Sequence, residues 1–156
     1  NMAAEAKTVS VSQLDRIHEF CRRGDVVAFR ENFKNHQNLI NQNGQLGNTM
    51  LHWAAQAGHT NLCNMLIMEG ANLNAVNDVG DTPLHLAAWK EHKKTAKLLA
   101  DRPNTDKTIR NRDGKTAYEL CRNEEMRSVM PAIDAKQVAE LIVVGDDDDD
   151  EDDEDE

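Results

Sequence analysis

Apolar residues recur along this chain at the spacing of one helical face, in short blocks separated by polar turns. Four such blocks are clear, at 51–55, 62–67, 84–88 and 95–99. Leu62, Met65 and Leu66 have the i, i+3, i+4 spacing that is typical of a helix with one buried face. The pattern therefore predicts short helices that come in pairs.

The first and third blocks belong to two stretches that match position by position. Gly47-Asn-Thr-Met-Leu-His-Trp-Ala-Ala-Gln56 aligns with Gly80-Asp-Thr-Pro-Leu-His-Leu-Ala-Ala-Trp89, and the step from Gly47 to Gly80 is 33 residues. Self-similarity at a fixed period of about 20 to 50 residues indicates a stacked repeat protein. Because one repeat cannot cover its own apolar face, its neighbours must complete the core.

The second copy contains the tetrapeptide Thr82-Pro83-Leu84-His85. With its partner stretch and the helical block after each, it resembles the ankyrin-repeat family over roughly residues 10 to 130. Within that family, parts of the sequence are similar to the ankyrin domains of integrin-linked kinases and of osteoclast-stimulating factors. The resemblance implies an all-α solenoid of about four helix-turn-helix repeats with β-hairpin fingers, whose concave face binds another protein.

The chain divides on this basis into a disordered N-terminus at 1–9, an ankyrin-repeat domain at 10–144 and an acidic tail at 145–156. The repeats are expected at about 10–43, 44–76, 77–110 and 111–131. A helix at 132–144 is expected to cap the last repeat, because Asp134 and Gln137 have the spacing of a capping box. The alternative is that this helix binds a partner.

Terminal repeats of such stacks are expected to be atypical. In the first repeat, Ser10 or Ser12 is the predicted N-cap of a helix over 13–21, and Val27 is expected on the apolar face of the next helix. In the fourth repeat, 114–121 is the expected first helix, although Glu119 replaces the signature histidine.

Local chemistry explains the signature residues. Thr49 and Thr82 stand where an N-cap oxygen is wanted, and Pro83 suits the first helical position because its missing N–H is not needed there. The neighbouring histidines are expected to hydrogen-bond an adjacent turn. Pairs of alanines, at 54–55 and 87–88, are small enough to let a second helix approach closely.

The remaining candidate chemistry favours no enzyme. Three cysteines, an odd number, argue against a disulfide framework, so we expect Cys21, Cys63 and Cys121 to be buried thiols. Buried thiols imply a reducing compartment, the cytoplasm or the nucleus. The signature histidines lie in separate repeats, and no metal-ligand spacing, phosphate-binding glycine motif or nucleophile elbow occurs. We predict no catalytic site, metal or cofactor. No apolar run is long enough for a membrane span, and we expect a monomer.

Charge is concentrated at one end of the chain. The net charge is −10, but Asp146–Glu156 is an unbroken run of eleven acidic residues, and the rest of the chain holds 18 basic against 17 acidic residues. A basic footprint for direct nucleic-acid binding is therefore absent. The run is either a solvating tail that shields a basic patch of the same fold or a ligand for basic partners.

The resemblance assigns a protein-binding face to the fingers and to the ends of the first helices. Trp89 stands one step past the alanines, where outward residues are expected, so it is the predicted interface anchor, whereas Trp53 is expected to pack in the core. The predicted contact residues are Arg22, Arg23, Leu46, Asn48, Gln56, Asp78, Asp81, Trp89, Lys90, Arg112 and Lys115.

The predicted function is a non-catalytic adaptor or regulator with an unidentified protein partner. Alternatives are an acidic-tailed binder or chaperone of basic proteins, and a fragment of a larger signalling protein.

Overall fold

The computed structural model describes residues 2–130, with side chains from Gln13 onward. In this part of the chain the α-helices are α1 Met2–Arg23, α2 Val26–Phe33, α3 Met50–Ala57, α4 Thr60–Met68, α5 Pro83–Trp89, α6 Lys93–Ala100 and α7 Glu124–Val129. Single 3-10 turns lie at Gln37–Leu39, Gln45–Gly47 and Tyr118–Leu120. The predicted capping helix at 132–144 and the acidic tail at 145–156 lie outside the described residues.

The helices are arranged in pairs, as the hydrophobic pattern predicts. Helix α1 packs on α2, α3 on α4, and α5 on α6. The first members of the pairs form an inner row in which α1 packs on α3 and α3 on α5, and the outer row runs from α4 to α6 and α7. The result is an all-helical repeat stack in which each pair completes the core of its neighbour.

Small residues let the inner helices approach closely. Ala54, Ala55, Ala87 and Ala88 have no exposed surface. Leucines from both rows fill the space around them, and burial of each such side chain contributes about 1.5–3 kcal/mol to folding. Fully or almost fully buried examples are Leu51, Leu62, Leu66, Leu84 and Leu99.

The three cysteines are part of this core. Cys21, Cys63 and Cys121 are free and buried, as predicted. Burial raises the pKa of the Cys63 thiol to about 12, so this group stays protonated at neutral pH.

The first repeat differs from the prediction. Helix α1 begins at Met2, so residues 2–9 are helical where we expected an unstructured segment, and Ser10 and Ser12 lie inside the helix rather than at its N-cap. In α2, Val27 is 68% exposed, and Phe29, at 1%, faces the core in its place. Asp25 caps α2 by accepting a hydrogen bond from Ala28 N–H at 3.0 Å.

The fingers are tight turns, since no residue in 2–130 belongs to a β-strand. In the second finger, Asn77 N–H donates to Asp81 O at 3.0 Å and Gly80 N–H donates to Asn77 O at 3.0 Å. The third finger repeats this arrangement with Asn111, Gly114 and Lys115. In both fingers these bonds close a turn of five residues, and the residues beside the turn are not paired as strands.

The fourth repeat is shorter than the others. Its first helix is reduced to the 3-10 turn Tyr118–Leu120, whereas an α-helix was expected over 114–121. Its second helix, α7, starts after the N-cap Asn123, whose side chain accepts a hydrogen bond from Met126 N–H. Helix α7 lies beside α6 and closes the outer row of the described stack.

Candidate protein-binding face

A histidine holds each finger to the helix before it. Thr49 N–H donates to Nδ1 of His52 at 3.1 Å, which leaves the proton on Nε2, and Nε2–H donates to the backbone oxygen of Asp81 at 2.8 Å. The next repeat has the same arrangement with Thr82, His85 and the oxygen of Lys115 at 2.9 Å. The predicted bond from histidine to a neighbouring turn is confirmed, and it spans consecutive repeats.

These bonds explain the protonation state of the two histidines. Burial lowers the pKa of His52 and of His85, although the carbonyl groups that accept from their Nε2–H raise it. A second proton on the ring would sit on Nδ1 and would abolish the bond from the threonine N–H. Both rings therefore stay neutral at pH 7, and each one links two consecutive repeats by hydrogen bonds.

His18 occupies the same position in α1 with fewer partners. Its side chain is 5% exposed, and Nε2 has no hydrogen-bond partner among the described residues. Burial lowers the pKa of His18 to about 4, even though the nearby Asp15 carboxylate raises it. This ring is thus a buried neutral group of the stack.

Consecutive fingers are joined by backbone and side-chain bonds. Asp78 N–H donates to Leu46 O, and Arg112 N–H donates to Val79 O, both at 3.1 Å. Two asparagines add side-chain links at 2.9 Å: Asn77 Nδ2–H to Asn48 Oδ1 and Asn111 Nδ2–H to Asp81 Oδ1. The fingers therefore form one connected edge of the face.

Those links correct part of the predicted contact set. Asn48 is only 3% exposed and its amide oxygen is used by the next finger, so it supports the stack and is not available to a partner. Asp81 and Gln56 are half-buried. The other predicted contacts are exposed: Arg22, Arg23, Leu46, Asp78, Trp89, Lys90, Arg112 and Lys115.

Trp89 lies at the end of α5 between two cations. Its residue surface is 43% exposed. Lys90 Nζ lies 4.4 Å from the centroid of the indole ring, and the Arg122 guanidinium carbon lies 5.5 Å from it. Both distances are in the range of cation–π contacts. We call Trp89, Lys90 and Arg122 the Trp89 cluster.

Sequence reasoning missed Arg122. The repeat register places it at the position of the buried Ala88, which would have hidden it in the core. Arginine is almost never fully buried unless it is paired, so a cation at that position was the signal that the first helix ends early. The 3-10 turn does end at Leu120, and Arg122 is exposed beside Trp89.

A cavity of about 230 Å³ lies at the other end of the inner row, between α1 and α3. It is lined by Asp15, His18, Glu19, Arg22, Gln45 and Trp53. Arg22 and Arg23 both pair with Glu19, at 2.5 and 2.6 Å. Trp53 packs against the core as predicted, but it is only half-buried, and its Nε1–H has no partner among the described residues. The prediction that Trp53 belongs to the core alone was therefore incomplete.

The described residues were considered as ligands of a metal ion and as parts of a membrane-spanning helix. No group of three or more His, Cys, Asp or Glu side chains in residues 2–130 is placed to hold a metal ion. Within the same range, no helix is both long and apolar enough to cross a bilayer.

Comparisons with known proteins identify the repeat. A family model described as Ankyrin repeats (3 copies) matches residues 17–120. Scaffold protein ILK of Homo sapiens is 42% identical over 69 residues, which are 44% of this chain and 15% of ILK. Rabankyrin-5 of Mus musculus is 38% identical over 72 residues, 46% of this chain and 6% of that protein. BCL-6 corepressor-like protein 1 of Homo sapiens is 32% identical over 88 residues, 56% of this chain and 5% of that protein.

The chain thus spans less than a fifth of the length of these relatives. The family model, by contrast, covers about two thirds of the chain, since 17–120 is 104 of its 156 residues. The chain belongs to the ankyrin-repeat family.

Proposed function

We propose that this chain is a non-catalytic protein-interaction module, an adaptor or regulator that binds a protein partner through its concave face. The observation that carries the proposal is the Trp89 cluster. Tryptophan and arginine are the residue types that most often dominate binding energy at protein interfaces. Membership of a repeat family and the similarity to a protein named as a scaffold support the same class of function.

The finger tips add a second, apolar element. Leu46 is 68% exposed and Val79 is 54% exposed, and the backbone bond from Asp78 to Leu46 O joins their two fingers. Leu46 is also held at φ 60, a left-handed conformation that costs a leucine about 1–2 kcal/mol. Strain of this kind concentrates at functional sites, which supports Leu46 as a contact residue.

The face is polar between these two elements, which suits a partner that associates and dissociates. Exposed charges of both signs, such as Asp78 and Arg112, alternate along the fingers. Charges at the rim of an interface contribute mainly to specificity and association rate rather than to affinity. We assign the affinity to Trp89 and Leu46 and the choice of partner to the charges. The buried free cysteines support a reducing compartment, the cytoplasm or nucleus.

Trp89→Ala tests the proposal. The partner would first be captured from a cell extract with the intact chain and identified by mass spectrometry, and its affinity would then be measured by calorimetry. We expect Trp89→Ala to weaken binding by at least about 2 kcal/mol, roughly 30-fold, which is the usual threshold of a hot spot. The melting temperature should change little, because Trp89 is exposed and each exposed cation–π contact contributes only about 0.5–1 kcal/mol.

Met68→Ala is the matched control, because Met68 is a 77% exposed apolar residue at the end of the outer helix α4. It should bind the partner like the intact chain. Equal affinities of the Trp89 and Met68 variants would refute the concave face as the binding site.

The alternative function, a binder of basic proteins through the acidic run, rests on the eleven carboxylates of Asp146–Glu156. A variant in which each of these is changed to Asn or Gln separates the two functions. Loss of partner binding in that variant would favour the alternative, whereas retained binding with weak salt dependence would favour the concave face.

A further inference from the structure

We propose that the chain's own acidic run, Asp146–Glu156, docks on the Trp89 cluster and competes there with the protein partner. The inference rests on the proposed function, because it assigns a regulatory role to the same surface. It follows from the charge state of the cluster, from the charge of the run and from the length of chain between them.

The Trp89 cluster carries two positive charges, and no carboxylate among the described residues forms a salt bridge with either of them. Lys90 and Arg122 are exposed, and neither forms a salt bridge within residues 2–130. Glu91, the nearest carboxylate in sequence, is held by the side chain of Asn123 at 2.9 Å. An anion that approaches Trp89 would therefore meet two unpaired cations and an aromatic ring that already lies between them.

The third finger, which belongs to the same repeat as Arg122, carries further positive charge. Arg112 and Lys115 are exposed and have no salt bridge in the described part of the chain. Asp113 is the one carboxylate between them in sequence. Cations elsewhere are more often neutralised: Arg22 and Arg23 share Glu19, Lys93 pairs with Glu125, and Lys97 pairs with Asp101.

The acidic run is the complement of this patch. It holds eleven of the 28 acidic residues of the chain, with no apolar residue among them. A segment of this composition cannot form a core of its own, so charge is its means of binding. Other exposed cations, such as Arg30 and Lys34, also lack a salt bridge, but we assign the run to the Trp89 cluster because only there do two such cations contact one aromatic ring among the described residues.

The connecting chain is long enough. Residue 146 follows Met130 by 16 residues, which reach at most about 53 Å when extended, and the 13 residues of the predicted helix at 132–144 alone would span about 20 Å. Met130 packs in the same repeat as Arg122, since Cys121 Sγ lies 3.6 Å from Met130 Sδ. The run is therefore within reach of the cluster, and a tether of this length corresponds to an effective concentration on the order of millimolar.

The partner binds only molecules in which the cluster is free. The apparent affinity for the partner is therefore the intrinsic affinity multiplied by the fraction of such molecules. With weak, millimolar docking, neutralising the run should tighten partner binding by about 2- to 10-fold at low salt. The same change should have no effect near 1 M NaCl, where the screening length is about 3 Å.

The test is an NMR comparison of two full-length chains, the native one and the variant with all eleven acidic residues changed to Asn or Gln. The probe is the indole N–H cross-peak of Trp89, assigned by its absence in Trp89→Phe. We expect this cross-peak to differ between the two chains at about 20 mM NaCl and to coincide near 1 M NaCl. The Trp53 cross-peak should stay unchanged in both.

Charge reversal locates the contact. Two further chains both carry Lys90→Glu and Arg122→Glu, one with the native acidic run and one with the neutralised run. Their Trp89 cross-peaks should coincide. A matched control chain carries Arg30→Glu and Lys34→Glu, which reverse two exposed cations at the C-terminal end of α2, and there the difference should persist. Circular dichroism of each background confirms the fold, and Lys90→Gln with Arg122→Gln replaces the reversed pair if that pair unfolds.

Two outcomes would overturn the proposal. One is a Trp89 cross-peak that is unchanged at low salt when the run is neutralised, and the other is a difference that survives reversal of Lys90 and Arg122. Neither spectrum contains a partner, so either outcome leaves the proposed function standing. That function fails separately, if Trp89→Ala binds the partner as well as the intact chain does.

Discussion

Acidification should destabilise this protein through His18. In the folded chain, burial lowers the pKa of His18 to about 4, opposed by Asp15 and reinforced by His52, whereas in the unfolded chain it returns to about 6.5. The unfolded state therefore takes up a proton as the pH falls through 6.5, and the folded state does so only near pH 4. The stability that neutral, buried His18 provides is fully present above pH 6.5 and is lost between pH 6.5 and 4.

The size of the loss follows from these two values. Between pH 7 and pH 5, protonation of His18 stabilises the unfolded state by about 1.9 kcal/mol and the folded state by only about 0.1 kcal/mol. His18 alone should thus lower the free energy of unfolding by about 2 kcal/mol over this interval. His52 and His85 act in the same direction, because burial lowers the pKa of each.

Urea unfolding at pH 7 and pH 5 measures this loss, with tryptophan fluorescence as the signal. The comparison is with His18→Leu, which keeps a side chain of similar volume but cannot be protonated. Between pH 7 and pH 5, the free energy of unfolding of this variant should fall by about 2 kcal/mol less than that of the native chain. For a urea dependence near 2 kcal/mol per M, this corresponds to about 1 M in the urea midpoint. Equal losses in the two chains would refute the reasoning that burial keeps His18 neutral.

Three other changes probe the caps, the fingers and the core. Thr82→Ala removes an N-cap oxygen and should lower the free energy of unfolding by about 1 kcal/mol in urea titrations, while Thr82→Ser should keep most of it. Gly47→Ala should cost more than Gly114→Ala: the two positions have φ 73 and 74, but only at Gly47 would the added Cβ overlap Asp78. The left-handed backbone alone costs about 1–2 kcal/mol, so equal losses at the two glycines would show that the finger contact is unimportant. Cys63 should resist iodoacetamide at pH 8 in the native chain and react in denaturing urea, as followed by mass spectrometry; rapid native labelling would contradict its burial.

The helix pairs could be predicted because the information is local. A helical face needs apolar residues at fixed spacings, and a cap needs threonine at one position, so the sequence around Thr82 and Pro83 was sufficient for both. The features that the sequence did not predict depend on contacts between helices, and these contacts are not visible in a local pattern. The 3-10 turn at Tyr118–Leu120 brings Arg122 out of the core register, and the indole of Trp53 lines a cavity that α1 completes.

The fingers show most clearly what the amino-acid sequence alone determined and what only the tertiary structure decided. Asn48, Asp81 and Lys115 occupy one register position, and the 33-residue step from Asn48 to Asp81 made them equivalent candidates. In the fold, Asn48 is buried, Asp81 is half-buried and Lys115 is exposed. The reason is stacking: Asn77 covers Asn48, Asn111 covers Asp81, and no further finger follows Lys115 within residues 2–130. Sequence determined which residues occupy the same position in successive fingers, and the neighbouring repeat decided which of them are exposed.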